Sequence, residues 1–282
     1  MGIRIIVDSS CDLSPEEAKE LDITIIPLRV AIGDDEYLDG VELDSRTFFE
    51  KLPTFKEFPK TSQAVPATYE EYFSQATSNG DDVICITLSS DLSGCYQSAN
   101  IASEEFDGKV YVIDSRTASA SIAVLVEYAC QLRDSGMSAK ELYETLEAEK
   151  GKIRLIALLD TLEYLKKGGR ISAAAAIAGE LLSIKPVIAV ENGPVSVLGK
   201  ARGTKNGRNL FTEFIEKKGP IDFDRPHCLI FSGVEPTALD DYMETHKDVY
   251  PGDVNVIKKR RIGCAIGSHI GPGAIGVVFF SK

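Results

Sequence analysis

The sequence predicts an α/β protein of two domains. Residues 1–150 are expected to form an α/β/α domain with a parallel sheet, and residues 151–282 a smaller α+β layer domain with a mixed sheet. In the first half, continuous apolar runs alternate with helical segments, which is typical of a parallel sheet covered by helices. In the second half, hairpins are mixed with helices. A chain of 282 residues that is 44% hydrophobic can bury a large core.

The first half opens with a strand at 3–7, followed by a helix at 13–21. Ser14 and Glu17 form the pattern of a capping box around this helix start, with Pro15 at the first helical position. An extended hairpin follows over 23–40, and the polar stretch 60–66 is expected to be irregular. The remaining predicted elements are helices at 44–52, 67–77, 93–106, 120–136 and 138–151, and strands at 82–89 and 109–115.

The second half contains a hairpin over 185–203, whose turn is predicted at Asn192–Gly193 because this dipeptide favours tight hairpin turns. The segment 173–183 is rich in alanine and is expected to be a helix of small residues. The other predicted elements are strands at 153–160, 227–233, 254–262 and 277–282, and helices at 161–172, 206–219 and 236–249.

Composition argues against several classes of function. The net charge of −12 disfavours nucleic acid as a partner. Six cysteines without a C-x-x-C pair, and only three histidines, do not form a zinc framework, and no metal or cofactor is expected. The chain opens directly on a strand and has no apolar run of membrane-spanning length, so a cytoplasmic setting without stable membrane insertion is expected. The basic run 258–261 is interpreted as a solvated strand edge, with a docking patch as the alternative.

A G-x-G-x-x-G pattern occurs at Gly271, Gly273 and Gly276. In dinucleotide-binding proteins this pattern follows a strand and opens a helix, whose N-terminus receives the pyrophosphate. Here the residues that follow, 277–282, are β-branched and aromatic and predict a strand. The nucleotide interpretation is therefore rejected, and His269 is left on what reads as a glycine-rich turn.

Polar clusters lie at predicted strand ends or in irregular turns, where α/β sheets bind ligands. Hydroxyl groups dominate them, and a set of hydroxyls with one histidine and a helix start suits a small anionic head group. Helix capping is the alternative for each serine taken alone, and for Ser14 and Ser93 in particular. The clusters span residues 8–14, 60–63, 88–98 and 266–273, and their hydroxyls include Ser9, Ser10, Thr61, Ser62, Ser89, Ser90 and Ser93.

Two catalytic alternatives stay open. Ser93, His269 and Asp8 are a formal Ser–His–Asp set, although no G-x-S-x-G elbow is present. Cys95 and His269 are a formal Cys–His pair. Either set would make the protein a hydrolase, and His269 could also act on a small carbonyl or acyl substrate.

The ordered motifs resemble those of the DegV family along essentially the whole chain. They are DSSCDL, KTSQ, SSDLSGCYQSA, DTLEYLKKGGRIS, IKPVIAVENG and IGSHIGPGAIGVVFF. The resemblance implies a fatty-acid-binding carrier rather than an enzyme, with two domains and a long acyl chain, such as palmitate, stearate or oleate, buried between them. It also implies a partner, a fatty acid kinase subunit that converts the presented carboxylate to an acyl-phosphate. The same fold resembles a dihydroxyacetone kinase domain, where a histidine engages the substrate.

Carried over by position, the resemblance implies that Thr61 and Ser93 bind the fatty acid carboxylate and that His269 belongs to the same network. Arg170 resembles a residue near the head group, and Ser62 and Gly94 accompany Thr61 and Ser93 in their motifs. The chain departs from the family pattern at Cys95, where a threonine is usual, and at 118–125, where the helix usually carries glycines. These departures bear on the head group and on the shape of the tail pocket.

Overall fold

The structure, a computed structural model, describes residues 2–171, 183–246, 249–250 and 256–282. Its strands are β1 (Ile3–Asp8), β2 (Ile23–Ile26), β3 (Arg29–Ile32), β4 (Asp35–Leu38), β5 (Lys60–Ser62), β6 (Asp82–Thr87), β7 (Val110–Asp114), β8 (Ile153–Leu158), β9 (Ile184–Val190), β10 (Val195–Arg202), β11 (Cys228–Phe231), β12 (Lys259–Arg261) and β13 (Ile275–Phe280).

The α-helices of the described residues are α1 (Pro15–Glu20), α2 (Ser45–Lys51), α3 (Pro66–Thr77), α4 (Cys95–Ser103), α5 (Ala120–Asp134), α6 (Ala139–Glu149), α7 (Glu163–Lys167), α8 (Thr204–Lys217), α9 (Thr237–Thr245) and α10 (Cys264–Ile270). No helix among these residues combines the length and the apolar character that a membrane crossing requires.

The first half builds a parallel sheet with strand order β2-β1-β6-β7, which confirms the predicted sheet type. β1 and β6 are buried along most of their length because they are central strands with helices on both faces. The capping box of α1 forms as predicted: Ser14 accepts from the Glu17 N–H, and the Glu17 carboxylate accepts from the Ser14 N–H.

The second half builds a mixed sheet with order β10-β9-β8-β13-β11-β12, which also agrees with the prediction. Only β11 and β12 pair in parallel. The β9–β10 hairpin turns at Asn192 and Gly193, whose φ angles of 55° and 121° are the left-handed conformations that favour Asn and Gly.

A small antiparallel sheet, β4-β3-β5, was not fully predicted. The stretch 60–66 was expected to be irregular, but its first three residues form β5, with Thr61 opposite Val30. The strand exists because a distant hairpin supplies its hydrogen-bond partners. Its own polar sequence carries no strand periodicity.

The two halves share one continuous apolar core, in which α5 is the central helix. α5 packs on β1 and β6 of the parallel sheet and on β8, β11 and β13 of the mixed sheet. Its residues 120–126 are all buried, which explains why this segment is apolar at every position except Ser121. The division into domains at 150/151 stays a prediction.

Three further predictions are corrected or lie outside the described residues. The predicted strand 254–262 is reduced to β12, and residues 254–255 are not described. The predicted helix 173–183 lies almost wholly outside the described residues. The run 266–270, read as a turn, belongs to helix α10, which ends at Gly271 with φ of 70°.

The basic run 258–261 is only partly a solvated strand edge. β12 is an edge strand, but Arg260 is 3% exposed and pairs with Glu17 at 2.7 Å and Glu127 at 2.5 Å. Lys258 pairs with the same two carboxylates. This ion-pair network fastens β12 to α1 and α5, so the run contributes to internal packing.

Candidate ligand-binding cavity

A cavity of about 320 Å³ lies among residues that follow β1 and β6 and side chains of β8, β9 and β11. Most of its lining is aliphatic. The apolar lining residues include Leu28, Leu88, Leu92, Ala118, Leu155, Ala157, Leu159, Leu165, Ile188, Val190, Val195, Ile230, Ile262, Ile266 and Ile270.

All six residues that were predicted as site residues line the cavity: Thr61, Ser62, Ser93, Gly94, Arg170 and His269. The other polar lining residues are Ser10, Gln63 and Ser119. Among the described residues, no group of three or more His, Cys, Asp or Glu side chains is arranged to hold a metal ion.

Thr61 and His269 form a direct hydrogen bond, with Thr61 Oγ1 2.7 Å from His269 Nε2. Thr61 lies at the centre of β5 and His269 in the last turn of α10. α10 packs closely on α2 because Gly267 has no side chain: a Cβ there would lie 2.9 Å from atoms of Phe48 and Phe49. Glycine therefore brings the histidine within reach of β5.

The His269 imidazole is largely buried, and its Nδ1 has no hydrogen-bond partner among the described residues. Burial lowers the pKa of His269 to about 4, with a further contribution from the nearby positive charge of Arg170. The ring is thus neutral at pH 7. Gly168 lies against Nδ1, where a Cβ would overlap the ring.

Arg170 joins the polar lining through backbone contacts. Its Nε donates to the Leu92 carbonyl at 3.1 Å and its Nη1 to the Gly168 carbonyl at 2.7 Å. It therefore connects the segment beside His269 with the residue that precedes Ser93. Its guanidinium has no carboxylate within ion-pair distance among the described side chains.

Ser93 lies just before α4, but the N-cap position belongs to Gly94. The Ser93 hydroxyl accepts from the Cys95 N–H at 3.3 Å and donates to Cys95 Sγ at 3.2 Å. Because thiol sulfur is a weak acceptor, a carboxylate oxygen would be a better partner for this hydroxyl. Gly94 accommodates Gln63, whose amide would overlap a Cβ at that position and donates to Ser98 at 3.0 Å.

Three polar lining residues were not predicted as site residues: Ser10, Gln63 and Ser119. Ser10 and Gln63 lie within the polar clusters 8–14 and 60–63, so the cluster pattern gave a signal for them. Ser119 has a φ of 62° and donates to Asp12. No sequence signal indicates that conformation, since serine seldom adopts it.

The other hydroxyls of the polar clusters stabilise the fold. Ser9 donates to Asp39 at 2.8 Å, and Ser90 donates to Asp114 at 2.5 Å. Ser89 Oγ accepts from the Asp91 N–H at 3.2 Å. Ser9 and Ser90 bind carboxylates that lie 30 and 24 positions away, and only Ser89 has a local partner, so helix capping explains none of the three.

The two catalytic sets do not assemble. Ser93 bonds to Cys95 rather than to His269, and Asp8 bonds to Ser10 and to the Leu88 N–H. Burial raises the pKa of the Cys95 thiol to about 12, so it is protonated at pH 7 and a poor nucleophile.

The glycine motif has the order opposite to a dinucleotide fingerprint. Helix α10 precedes the glycines and strand β13 follows them, with Gly276 inside that strand. A Cβ at Gly276 would lie 2.8 Å from the Ile156 carbonyl on β8, so this glycine permits close strand packing.

The two sheets share an apolar cavity with a compact polar region. A cavity of this kind is typical of small-ligand-binding proteins. The chain belongs to the DegV family, whose model matches residues 2–282. A DegV domain-containing protein of Deinococcus radiodurans is 33% identical over 281 residues, with 98% of each chain covered.

Solved structures with the same fold are described as fatty-acid-binding proteins. A DegV family protein from Thermus thermophilus, described by its fatty acid binding, matches with a TM-score of 0.88 and 30% identity over 100% of both chains. A stearic acid-binding protein from Eubacterium ventriosum has a TM-score of 0.86 and 27% identity, with 99% and 98% coverage. DegV from Bacillus subtilis, described as a fatty acid binding protein, has a TM-score of 0.84 and 27% identity over 100% of both chains.

Proposed function

We propose that this protein binds one long-chain fatty acid in the cavity, with the carboxylate at Thr61, Ser93 and His269. The observation that carries the proposal is the composition of the cavity wall. Its polar part holds the hydrogen-bonded pair of Thr61 and His269 and the Arg170 guanidinium, and the rest of the lining is mostly aliphatic. The whole-chain similarity to fatty-acid-binding proteins supports the same ligand.

The acyl tail supplies most of the affinity. Burying about 14 methylenes at about 0.8 kcal/mol each gives roughly 11 kcal/mol before the cost of ordering the chain. The cavity of about 320 Å³ falls within the size range of small-ligand pockets, which starts at about 300 Å³.

The head-group site orients the ligand. Ser93 and Thr61 offer hydroxyl donors, and Arg170 adds a positive charge nearby. Ser62 and Gly94 border the same space. A hydrogen bond to a charged carboxylate contributes roughly 1.5–3 kcal/mol, which is smaller than the tail contribution.

In the cell, the bound carboxylate is presented to a separate fatty acid kinase subunit, which forms the acyl-phosphate. The setting is the cytoplasm, and the ligand lies between two domains that meet at 150/151. The need for a separate kinase subunit is supported by the glycine motif, because its helix–turn–strand order offers no helix N-terminus to a nucleotide phosphate. Calorimetry should therefore find no micromolar binding of ATP or NAD.

Mass spectrometry of lipid extracted from the purified protein tests the ligand. We expect a free fatty acid in near-equimolar yield, and a rise in melting temperature when palmitate or oleate is added to delipidated protein. Absence of both would refute the proposal. A covalent adduct on the denatured chain would favour an enzyme acting through Ser93, Cys95 or His269.

Substitutions test the head-group site. Ser93→Ala or His269→Ala should leave the protein folded, with fatty acid affinity lowered roughly ten- to a hundredfold. Phosphorylation by a cognate kinase should fall further, because the carboxylate must be oriented as well as bound. Ser138→Ala is the matched control: it removes a helix cap from α6, away from the cavity, and should leave affinity unchanged. If both site variants kept full activity as phosphoryl acceptors with the cognate kinase, the head group would lie elsewhere.

A further inference from the structure

Helix α10, which carries His269, is capped by distant carboxylates. Its N-cap residue, Gly263, has no side chain, and the Gly263 N–H donates to Asp12 Oδ1 at 2.8 Å. The N–H groups of Cys264 and Ala265 donate to the two oxygens of Asp39 at 3.0 and 3.3 Å. More than 220 residues separate Asp39 from these donors in the sequence.

Both carboxylates are buried, and these hydrogen bonds compensate for their loss of hydration. Asp39 is 4% exposed and accepts a third hydrogen bond from the Ser9 hydroxyl at 2.8 Å. Asp12 also accepts from the Ser119 hydroxyl. Burying a carboxylate is unfavourable unless hydrogen bonds compensate it, so the native positions of Gly263, Cys264 and the two aspartates are strongly coupled.

The same carboxylates reach the cavity wall by other routes. Ser119 lines the cavity, and the Ser9 hydroxyl that donates to Asp39 accepts from the N–H of Leu28, another lining residue. At the far end of α10, His269 meets Thr61. A seven-residue helix is short enough that a shift at its start is transmitted to its last turn.

We propose that Asp39, assisted by Asp12, is a positioning residue that holds His269 against Thr61 at the head-group site. The inference rests on the proposed function for its ligand, but the position of His269 can be measured without any ligand. Asp39 itself does not line the cavity.

Asp39→Asn isolates this role because it keeps the shape of the side chain. It removes the negative charge at the start of α10 and one of the two acceptor oxygens. We expect α10 to loosen and His269 to become more exposed, with palmitate affinity lowered roughly tenfold. In ligand-free protein, the NMR titration midpoint of His269 should rise from about 4 towards its ordinary value. The His269→Ala spectrum assigns the signal among the three histidines.

A double-mutant cycle separates positioning from general destabilisation. Palmitate affinity and melting temperature are measured for the wild type, Asp39→Asn, His269→Ala and the double variant. We expect Asp39→Asn to lower affinity in the wild-type background and to have little further effect once His269 is absent, while it lowers the melting temperature equally in both. Ser138→Ala, the control, should lower the melting temperature without moving affinity or the His269 titration.

The contrary outcomes are distinct. An equal loss of affinity in both backgrounds, or an unmoved His269 titration, would overturn the inference. If the wild type binds no palmitate, the proposed function fails, and the ligand-free titration still decides the role of Asp39. If Asp39→Asn does not fold, Ser9→Ala removes one of the three bonds to Asp39 and keeps its charge. That variant should raise the His269 midpoint by a smaller amount, and no change would count against the inference.

Discussion

The hydroxyl of Thr61 and Nε2 of His269 lie 2.7 Å apart, although 208 positions separate the residues in the sequence. The other ring nitrogen, Nδ1, is buried and has no partner among the described residues. A buried N–H without an acceptor is seldom tolerated in proteins, which favours the tautomer with the proton on Nε2. Thr61 then accepts from His269, and its own proton is free to bind a carboxylate.

This burial predicts a pH dependence of stability. The folded pKa of His269 is about 4, below the ordinary value of 6.5. As the pH falls from 6.5 to 4, the unfolded chain binds a proton at this histidine, whereas the folded protein does not. The contribution of His269 to the free energy of unfolding is therefore complete above pH 6.5 and is lost as the pH falls towards 4. His269→Gln should remove this loss, which amounts to roughly 3 kcal/mol at most. Urea unfolding at pH 7, 6 and 5 measures it. Parallel curves for variant and wild type would show that His269 titrates normally.

The raised pKa of Asp12 predicts a pH dependence of stability with the opposite sign over the same pH range. Burial raises its folded pKa to about 7 from the ordinary 3.8. Its stabilising contribution is therefore complete below pH 3.8 and is lost as the pH rises towards 7. Asp12→Asn should gain stability relative to the wild type between pH 4 and pH 7 in the same urea series. Burial shifts the pKa values of Asp8 and Asp39 in the same direction, so part of the dependence should remain.

The cysteines should be inert in the folded protein. All six are buried, and burial raises the pKa of Cys95 to about 12 and that of Cys228 to about 12. Titration with a disulfide reagent at pH 7 should find almost no reactive thiol before denaturation and six afterwards. Rapid stoichiometric labelling of Cys95 in the native protein would revive the Cys–His alternative.

The elements that were predicted correctly are those specified by neighbouring residues. The α1 capping box needs only Ser14 and Glu17, and the β9–β10 turn needs only Asn192 and Gly193. Each motif satisfies its own backbone groups locally, so the sequence suffices to predict it.

The elements that were missed depend on distant partners. β5 forms because β3 pairs with it, and α10 begins at a glycine because Asp39 caps it from another part of the chain. The site residues were predicted through family resemblance and clustered hydroxyls. That pattern could not distinguish Ser93, which lines the cavity, from Ser90, which bonds to Asp114.

The buried basic run predicts contrasting effects of adjacent substitutions. Arg260→Ala leaves Glu17 and Glu127 without their buried partner and should cost about 3–5 kcal/mol of unfolding free energy. Lys259→Ala, which removes an ion pair with Asp240 near the surface, should cost at most about 1 kcal/mol. Urea unfolding of both variants measures the difference. Equal losses of unfolding free energy in the two variants would mean that the basic run is solvated.

Two neighbouring glycines test how tightly His269 must be held. A Cβ at Gly168 would overlap His269 Nδ1 and lie 3.1 Å from the Tyr164 carbonyl, so Gly168→Ala must displace the imidazole from Thr61. We expect fatty acid affinity to fall roughly tenfold, at a stability cost of about 1–3 kcal/mol.

Gly169→Ala is the control. Its φ of +69° makes alanine unfavourable by about 1–2 kcal/mol, but a Cβ there meets no heavy atom within 4 Å. The two variants should therefore lose similar stability while only Gly168→Ala loses affinity, which calorimetry with palmitate measures. If Gly168→Ala bound palmitate as tightly as Gly169→Ala, the contact of His269 with Thr61 would not matter for the ligand.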